Sequence, residues 1–136
     1  MMTVFADTSY WIGLLYPQDH LHPKVTAMYR EIAAMRVVTS EMILAELLNT
    51  FSNGSPRMRS IVVGAVEDAR KGNSVIVFPQ TSEQFTKALE RYKRSADKNW
   101  SLTDCASFQI METERISAAL THDHHFVQAG FEALLR

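Results

Sequence analysis

A single cysteine, Cys105, is all the thiol chemistry in this 136-residue chain. One thiol excludes an internal disulfide and any zinc site built on several thiolates, so the fold has to stand on its apolar core. Long apolar runs are missing too: charges interrupt every stretch well before the ~20 residues a membrane span needs. The opening Met1-Met2-Thr3-Val4-Phe5-Ala6-Asp7 lacks the basic stretch and small-residue cleavage site of a signal peptide, so the expectation is a cytoplasmic protein without membrane contact. Nor does charge of one sign prevail, since 14 basic and 15 acidic side chains leave −1. Carboxylates committed to a metal would leave the remaining surface mildly basic, so a nucleic-acid partner is allowed but not demanded. No repeat or low-complexity segment is visible. What remains is an ordinary globular composition, 46% apolar and 21% charged, at a length that suits one domain over residues 1–136.

The apolar pattern divides this chain into short segments. Thr3-Val4-Phe5-Ala6 reads as a buried strand, and Asp7-Thr8-Ser9 offers capping side chains to a helix from Tyr10 to Leu15 that Pro17 ends. His22 to Met35 fits one amphipathic helix with Val25, Met28, Tyr29 and Ile32 on a common face, leading to a short strand at Arg36-Val37-Val38. Ser40 caps a helix from Glu41 to about Phe51, and Asn53-Gly54-Ser55-Pro56 makes a corner before helical patterning resumes from Met58 to Ala69. Gly72-Asn73 closes that helix, and Ser74 to Phe78 is a strand stopped by Pro79. Thr81 with Gln84 and Ser101 with Asp104 fit capping boxes, opening helices that reach about Ser95 and about Glu114. Ile116 to Leu120 reads as a strand, Asp123 to Gln128 as a short helix and Phe131 to Leu134 as an edge strand. Strands separated by helices cannot pair as hairpins, which predicts an α/β fold with a central, mainly parallel sheet of four or five strands and helices on both faces. Such sheets bind ligands beyond the carboxyl ends of their strands, where Asp7 and Asp123 fall.

Four acidic residues stand where apolar elements begin or end: Asp7, Glu46, Asp104 and Asp123. Each has an ordinary explanation. Asp7 and Asp123 suit N-caps, Asp104 complements a helix dipole in the first turn, and Glu46 shares a half-apolar stripe with Met42, Ile43, Asn49 and Thr50. If they converge, however, each pair repels by roughly 4 kcal/mol at ~4 Å and an effective dielectric of ~20. A hard divalent ion, Mg²⁺ or Mn²⁺, is then the natural partner.

The chain resembles the PIN domain, the metal-dependent ribonuclease fold of VapC-type toxins in toxin–antitoxin pairs. The resemblance rests on the strand ending in Asp7-Thr8-Ser9, the Ser40 to Glu46 segment, the run from Asp97 to Cys105, and Leu120 to Phe126 before Gly130-Phe131. It implies a three-layer α/β/α sandwich and an acidic quartet, Asp7, Glu46, Asp104 and Asp123, that holds one or two Mg²⁺ or Mn²⁺ ions and cuts RNA. It also implies a cognate antitoxin and a homodimer. Metal serves phosphodiester hydrolysis by neutralising phosphoryl charge and activating water, so no protein nucleophile is needed.

Around the quartet, Thr8 and Thr103 are candidates to orient water or phosphate, with Ser9 a weaker one and Asp97 an outer partner or loop anchor. The run His122-Asp123-His124-His125 suggests a transition ion, but neighbours in so short a run are not expected to converge on one, and His125 is expected to pack or to cap a strand end. Lys87, Arg91 and Arg94 follow at helical spacing, with Lys98 beyond, and form a candidate RNA-tracking stripe; the ordinary reading is a solvated face. Trp100 and Tyr10 are candidates for base stacking, or for the core. Leu48, Phe51, Ile61, Val62 and Val66 exceed what one helix pair needs and suggest a dimer face, unless the core absorbs them. A haloacid dehalogenase-type phosphatase is excluded because Ser9 stands where its second Asp is needed, and a receiver domain lacks its acidic pair and late lysine. A PIN-like module that binds RNA or protein without cutting, and a stand-alone nuclease without an antitoxin, stay open.

Overall fold

Five parallel strands make one sheet in the computed structural model, which describes residues 1–136. Along the chain come β1 (Thr3–Ala6), α1 (Thr8–Leu15), α2 (His22–Ala27), α3 (Tyr29–Ala33), β2 (Arg36–Ser40), α4 (Glu41–Thr50) and α5 (Pro56–Arg70). They are followed by β3 (Val75–Phe78), α6 (Ser82–Arg94), α7 (Leu102–Thr113), β4 (Ala118–Leu120), α8 (His124–Gln128) and β5 (Glu132–Ala133). The strand order is β3-β2-β1-β4-β5. The chain steps outward from β1 to β3, then crosses back past β1 to β4 and β5. With this strand order the right-handed rule for parallel crossovers assigns α1 to α5 to one face and α6 to α8 to the other, the three-layer sandwich expected from the sequence. The direction reverses between β1 and β4, so the crevice beyond their carboxyl ends is the natural ligand position.

Central strands covered on both faces need apolar residues at every position, not alternate ones. Val4, Phe5 and Ala6 of β1 and Ala118, Ala119 and Leu120 of β4 are all buried accordingly. No helix is long and apolar enough to cross a membrane. Ser40, Thr81 and Ser101 cap where the sequence places them, each accepting a backbone N–H three residues on, and Ser55, read only as part of a corner, caps α5 in the same way. Only Ser101 completes the reciprocal box, through Asp104.

The segment from His22 to Met35 departs from expectation. It breaks at Met28 (φ −91°, ψ 6°) into α2 and α3, and Tyr29 is 69% exposed while Val25 and Ile32 are buried. The cause is tertiary. α2 is pressed against α1, where a Cβ on Gly13 would stand 3.1 Å from both Leu21 Cβ and Val25 Cγ2, whereas α3 has to deliver the chain to β2. The Met28 N–H meets both demands by sharing the carbonyls of Lys24 and Val25. Gly13→Ala should therefore lower stability by about 1 kcal/mol: the overpacking penalty of ~1–3 kcal/mol exceeds the ~1 kcal/mol gained in helix propensity. A raised urea midpoint would contradict this close approach.

The apolar excess between Leu47 and Val66 is largely core. Leu47, Phe51 and Val62 are buried and Val66 packs on them, leaving Leu48, Ile61 and Val63 exposed.

Candidate active site

Asp7 leaves β1 at the centre of the sheet. The register sets Ala6 beside Leu120, so Asp7 and Thr121 emerge as neighbours, and the Asp7 N–H donates to Leu120 O at 3.2 Å. Asp7 occupies the N-cap position of α1, yet its side chain makes no cap bond. Its Oδ2 instead accepts from Thr121 Oγ1 at 2.8 Å and lies 3.4 Å from Ser9 Oγ. The residue is only 6% exposed. Burial pushes its carboxyl from the ordinary 3.8 up to about 7; the Thr121 hydroxyl and the Thr8 backbone oppose this, while the charges of Asp104 and Glu46 add to it. A capping role does not account for a carboxylate placed in this way.

Glu46 and Asp104 act directly on Asp7, and Asp123 acts on Asp104. Glu46 lies half-buried on α4, where Thr8 Oγ1 donates to its Oε1, so the first turn of α1 orients it. Asp104 is drawn in at the start of α7 by the capping box, its Oδ2 accepting the Ser101 N–H at 3.1 Å and lying 3.0 Å from His125 Nδ1. Burial raises the Asp104 carboxyl; the Ser101 N–H lowers it, Asp123 raises it further and His125 lowers it. Asp123 does cap α8, its Oδ1 accepting the His125 N–H at 2.9 Å. One hydroxyl joins the two strand ends, because Thr121 Oγ1 donates to Asp7 and accepts the Asp123 N–H at 3.0 Å. The result is a chain of electrostatic neighbours, Glu46 to Asp7 to Asp104 to Asp123, with no lysine or arginine paired to any of them.

Thr121 and His125 are the residues whose place here the sequence reading missed. Thr121 stands two residues before Asp123 at the end of a strand, a visible signal only once β4 is known to pair with β1. His125 neither packs as an apolar ring nor caps a strand; it faces Asp104 and Asp123 with its side chain 19% exposed. Because the Thr121 hydroxyl lowers the Asp7 carboxyl, Thr121→Val should move Asp7 titration upward by about one unit, the size of one charge-assisted hydrogen bond. Carboxyl-carbon NMR of the metal-free protein measures it, and an unmoved titration would refute the contact.

Other candidates fall elsewhere. Asp97 is exposed and paired with Lys98 at 3.0 Å, which holds its carboxyl below the ordinary value. Thr103 adjoins Asp104, but only its carbonyl is engaged, by Ser107 Oγ. The basic stripe does not stand as a free face. Arg91 follows buried Ala88 by three residues, so it shares the side of α6 that packs on α7, where it pairs with Glu112 and is 13% exposed. Lys87 pairs with Glu83 at 3.2 Å, and Arg94 alone of the four is exposed without an ion pair. Trp100 packs edge-on to Phe108 and Tyr10 lies buried against Trp11, so the core reading holds for both.

A parallel sheet ordered β3-β2-β1-β4-β5 with four acids at its reversal point agrees with the match of the PIN domain family model to residues 4–132. The chain belongs to the PIN domain family. Within it, this PIN domain is 26% identical over 128 residues to the 23S rRNA-specific endonuclease VapC20 of Mycobacterium tuberculosis, covering 94% of this chain and 95% of that one. The crystal structure of M. tuberculosis VapC20, described as a Sarcin-Ricin loop cleaving toxin, superposes with a TM-score of 0.83 at 26% identity and the same coverage. FitAcB from Neisseria gonorrhoeae shares the fold, with a TM-score of 0.64 at 16% identity over 96% of this chain and 94% of that one.

Proposed function

We propose that this PIN domain, acting as a single unit over residues 1–136, is a metal-dependent endoribonuclease and the toxin of a cytoplasmic toxin–antitoxin pair. The observation that carries the reading is Asp7: a nearly buried carboxylate, not capping, with Glu46 and Asp104 acting on it, Asp123 joined to it through Thr121, and no lysine or arginine paired to any of the four. A buried cluster of like charges is costly unless a cation completes it. The carboxylates around Asp7 offer oxygen donors, which suits Mg²⁺ or Mn²⁺, one or two ions. Asp7 and Asp104 hold the ion, while Glu46 and Asp123 complete its surroundings. Thr8 fixes Glu46, and Thr121 orients Asp7 and ties it to Asp123. When bound, the ion neutralises phosphoryl charge and supplies an activated water. Similarity to VapC20 over nearly the whole of both chains supports RNA, and ribosomal RNA in particular, as the substrate class. It also supports an antitoxin partner. Arg94 is the remaining stripe residue available to RNA phosphates, and Leu48, Ile61 and Val63 are the face left for a homodimer.

Incubating the purified chain with ribosomal RNA and Mg²⁺ or Mn²⁺ should give discrete cleavage products, and EDTA should abolish them. RNA retained without cleavage at any divalent concentration would favour the non-cleaving module instead.

A further inference from the structure

Residues one apart on a regular helix point ~100° apart, which is why the sequence alone sets the run at His124 aside as a metal site. The structure removes that objection for Asp123. Asp123 is the N-cap of α8 and not part of its spiral, so its carboxylate folds back over the first turn, where both rings meet it. Asp123 Oδ1 lies 3.3 Å from His125 Nδ1 and 3.7 Å from His124 Nδ1, and the three donor atoms all fall within 4.8 Å of one another. Donors around a tetrahedral centre with bonds of ~2.0–2.1 Å stand about 3.3–3.4 Å apart, so two of the three edges are already within a few tenths of an ångström of the required length. The two rings are tilted together at 50° with a centroid distance of 4.5 Å.

We infer that Asp123, His124 and His125 form a second cation site, selective for a borderline transition ion of the Zn²⁺ or Co²⁺ class, which shares Asp123 with the carboxylate cluster. Two imidazoles and one carboxylate suit such an ion and disfavour Mg²⁺, which takes oxygen ligands. Three protein ligands leave one position for solvent. Coordination through His125 Nδ1 requires the lone pair of that atom, so the ring carries its proton on Nε2 and gives up its contact with Asp104 Oδ2. Occupying this site therefore withdraws Asp123 and His125 together from the carboxylate cluster. On the nuclease reading above, Zn²⁺ acts as an inhibitor that competes with Mg²⁺ through Asp123.

The test uses the full chain with Co²⁺ and Zn²⁺ as probes and His124→Ala as the variant, since His124 is 60% exposed and outside the proposed cleavage machinery. The parent should bind Co²⁺ with the intense visible bands of a four-coordinate centre even in excess Mg²⁺. His124→Ala should weaken Zn²⁺ binding at least about tenfold, the smallest effect expected when a direct ligand is lost. Its Mg²⁺-driven RNA cleavage should match that of the parent while its inhibition by Zn²⁺ is relieved. Weak, octahedral Co²⁺ bands, or equal Zn²⁺ affinity in the two proteins, would overturn the site. A parent that cleaves no RNA would sink the nuclease reading and the inhibition, while the Co²⁺ spectrum would still decide whether the site exists.

Discussion

Asp7→Asn is expected to abolish metal-dependent RNA cleavage while making the metal-free protein more stable above neutral pH. In the folded chain the Asp7 carboxyl titrates at about 7, against an ordinary 3.8. Below the lower value it is protonated in both states and contributes nothing. Between the two values the unfolded chain releases the proton and the folded chain keeps it, so stability falls as pH rises. Above about 7 the whole penalty stands, at most ~4 kcal/mol for a three-unit difference. Asparagine carries no charge to desolvate, and its amide oxygen still accepts the Thr121 hydroxyl. Thermal unfolding in EDTA should therefore show a parent that weakens from about pH 4 to about pH 8 and a variant that weakens less, with the variant ahead at the upper end by a few kcal/mol. Added Mg²⁺ should then stabilise the parent and not the variant, because binding to the folded state alone raises stability. Removing a ligand to an ion that contributes several kcal/mol to the transition state should cost on the order of 10³-fold in cleavage. Parallel pH profiles for the two proteins would refute the burial argument, and undiminished cleavage would remove Asp7 from the site.

Phe108→Ala should have the largest effect on the fold itself. Phe108 is completely buried, and its ring meets Trp100 and Phe126 edge-on at 5.0 Å each and Phe131 at 5.7 Å. Truncating a core phenylalanine costs ~3–5 kcal/mol, a large part of the ~5–15 kcal/mol that holds a domain folded. The functional consequence follows from position. Phe108 lies one turn beyond Asp104 on α7, and Phe126 lies three residues beyond Asp123 on α8, so this aromatic contact joins the two helices that carry these carboxylates. The alanine variant should lose most of its cooperative urea transition. Phe108→Leu should stay folded and bind divalent metal more weakly than the parent. An alanine variant within about 1 kcal/mol of the parent would mean that the site is held by something other than this cluster.

The sequence by itself determined the alternation of strands and helices, the caps at Ser40, Thr81 and Ser101, and the positions of four acids at element ends. Each of these depends on residues within a turn or two, where propensity and side-chain-to-backbone bonds act. Only the tertiary structure decided which acid caps and which does not. Asp7 and Asp123 have the same signature, an acid just after a buried strand, yet Asp123 caps α8 while Asp7 turns to Thr121. That difference comes from the pairing of β1 with β4, whose residues lie more than a hundred positions apart and whose register no local signal sets. The same distant packing broke the helix at Met28, turned Arg91 from a basic stripe toward Glu112, and set Asp123 as a cap beside His124 and His125. Short-range chemistry chose the elements. Which side chains meet at the end of the sheet was settled by how buried faces fit together, a constraint between segments remote in the chain.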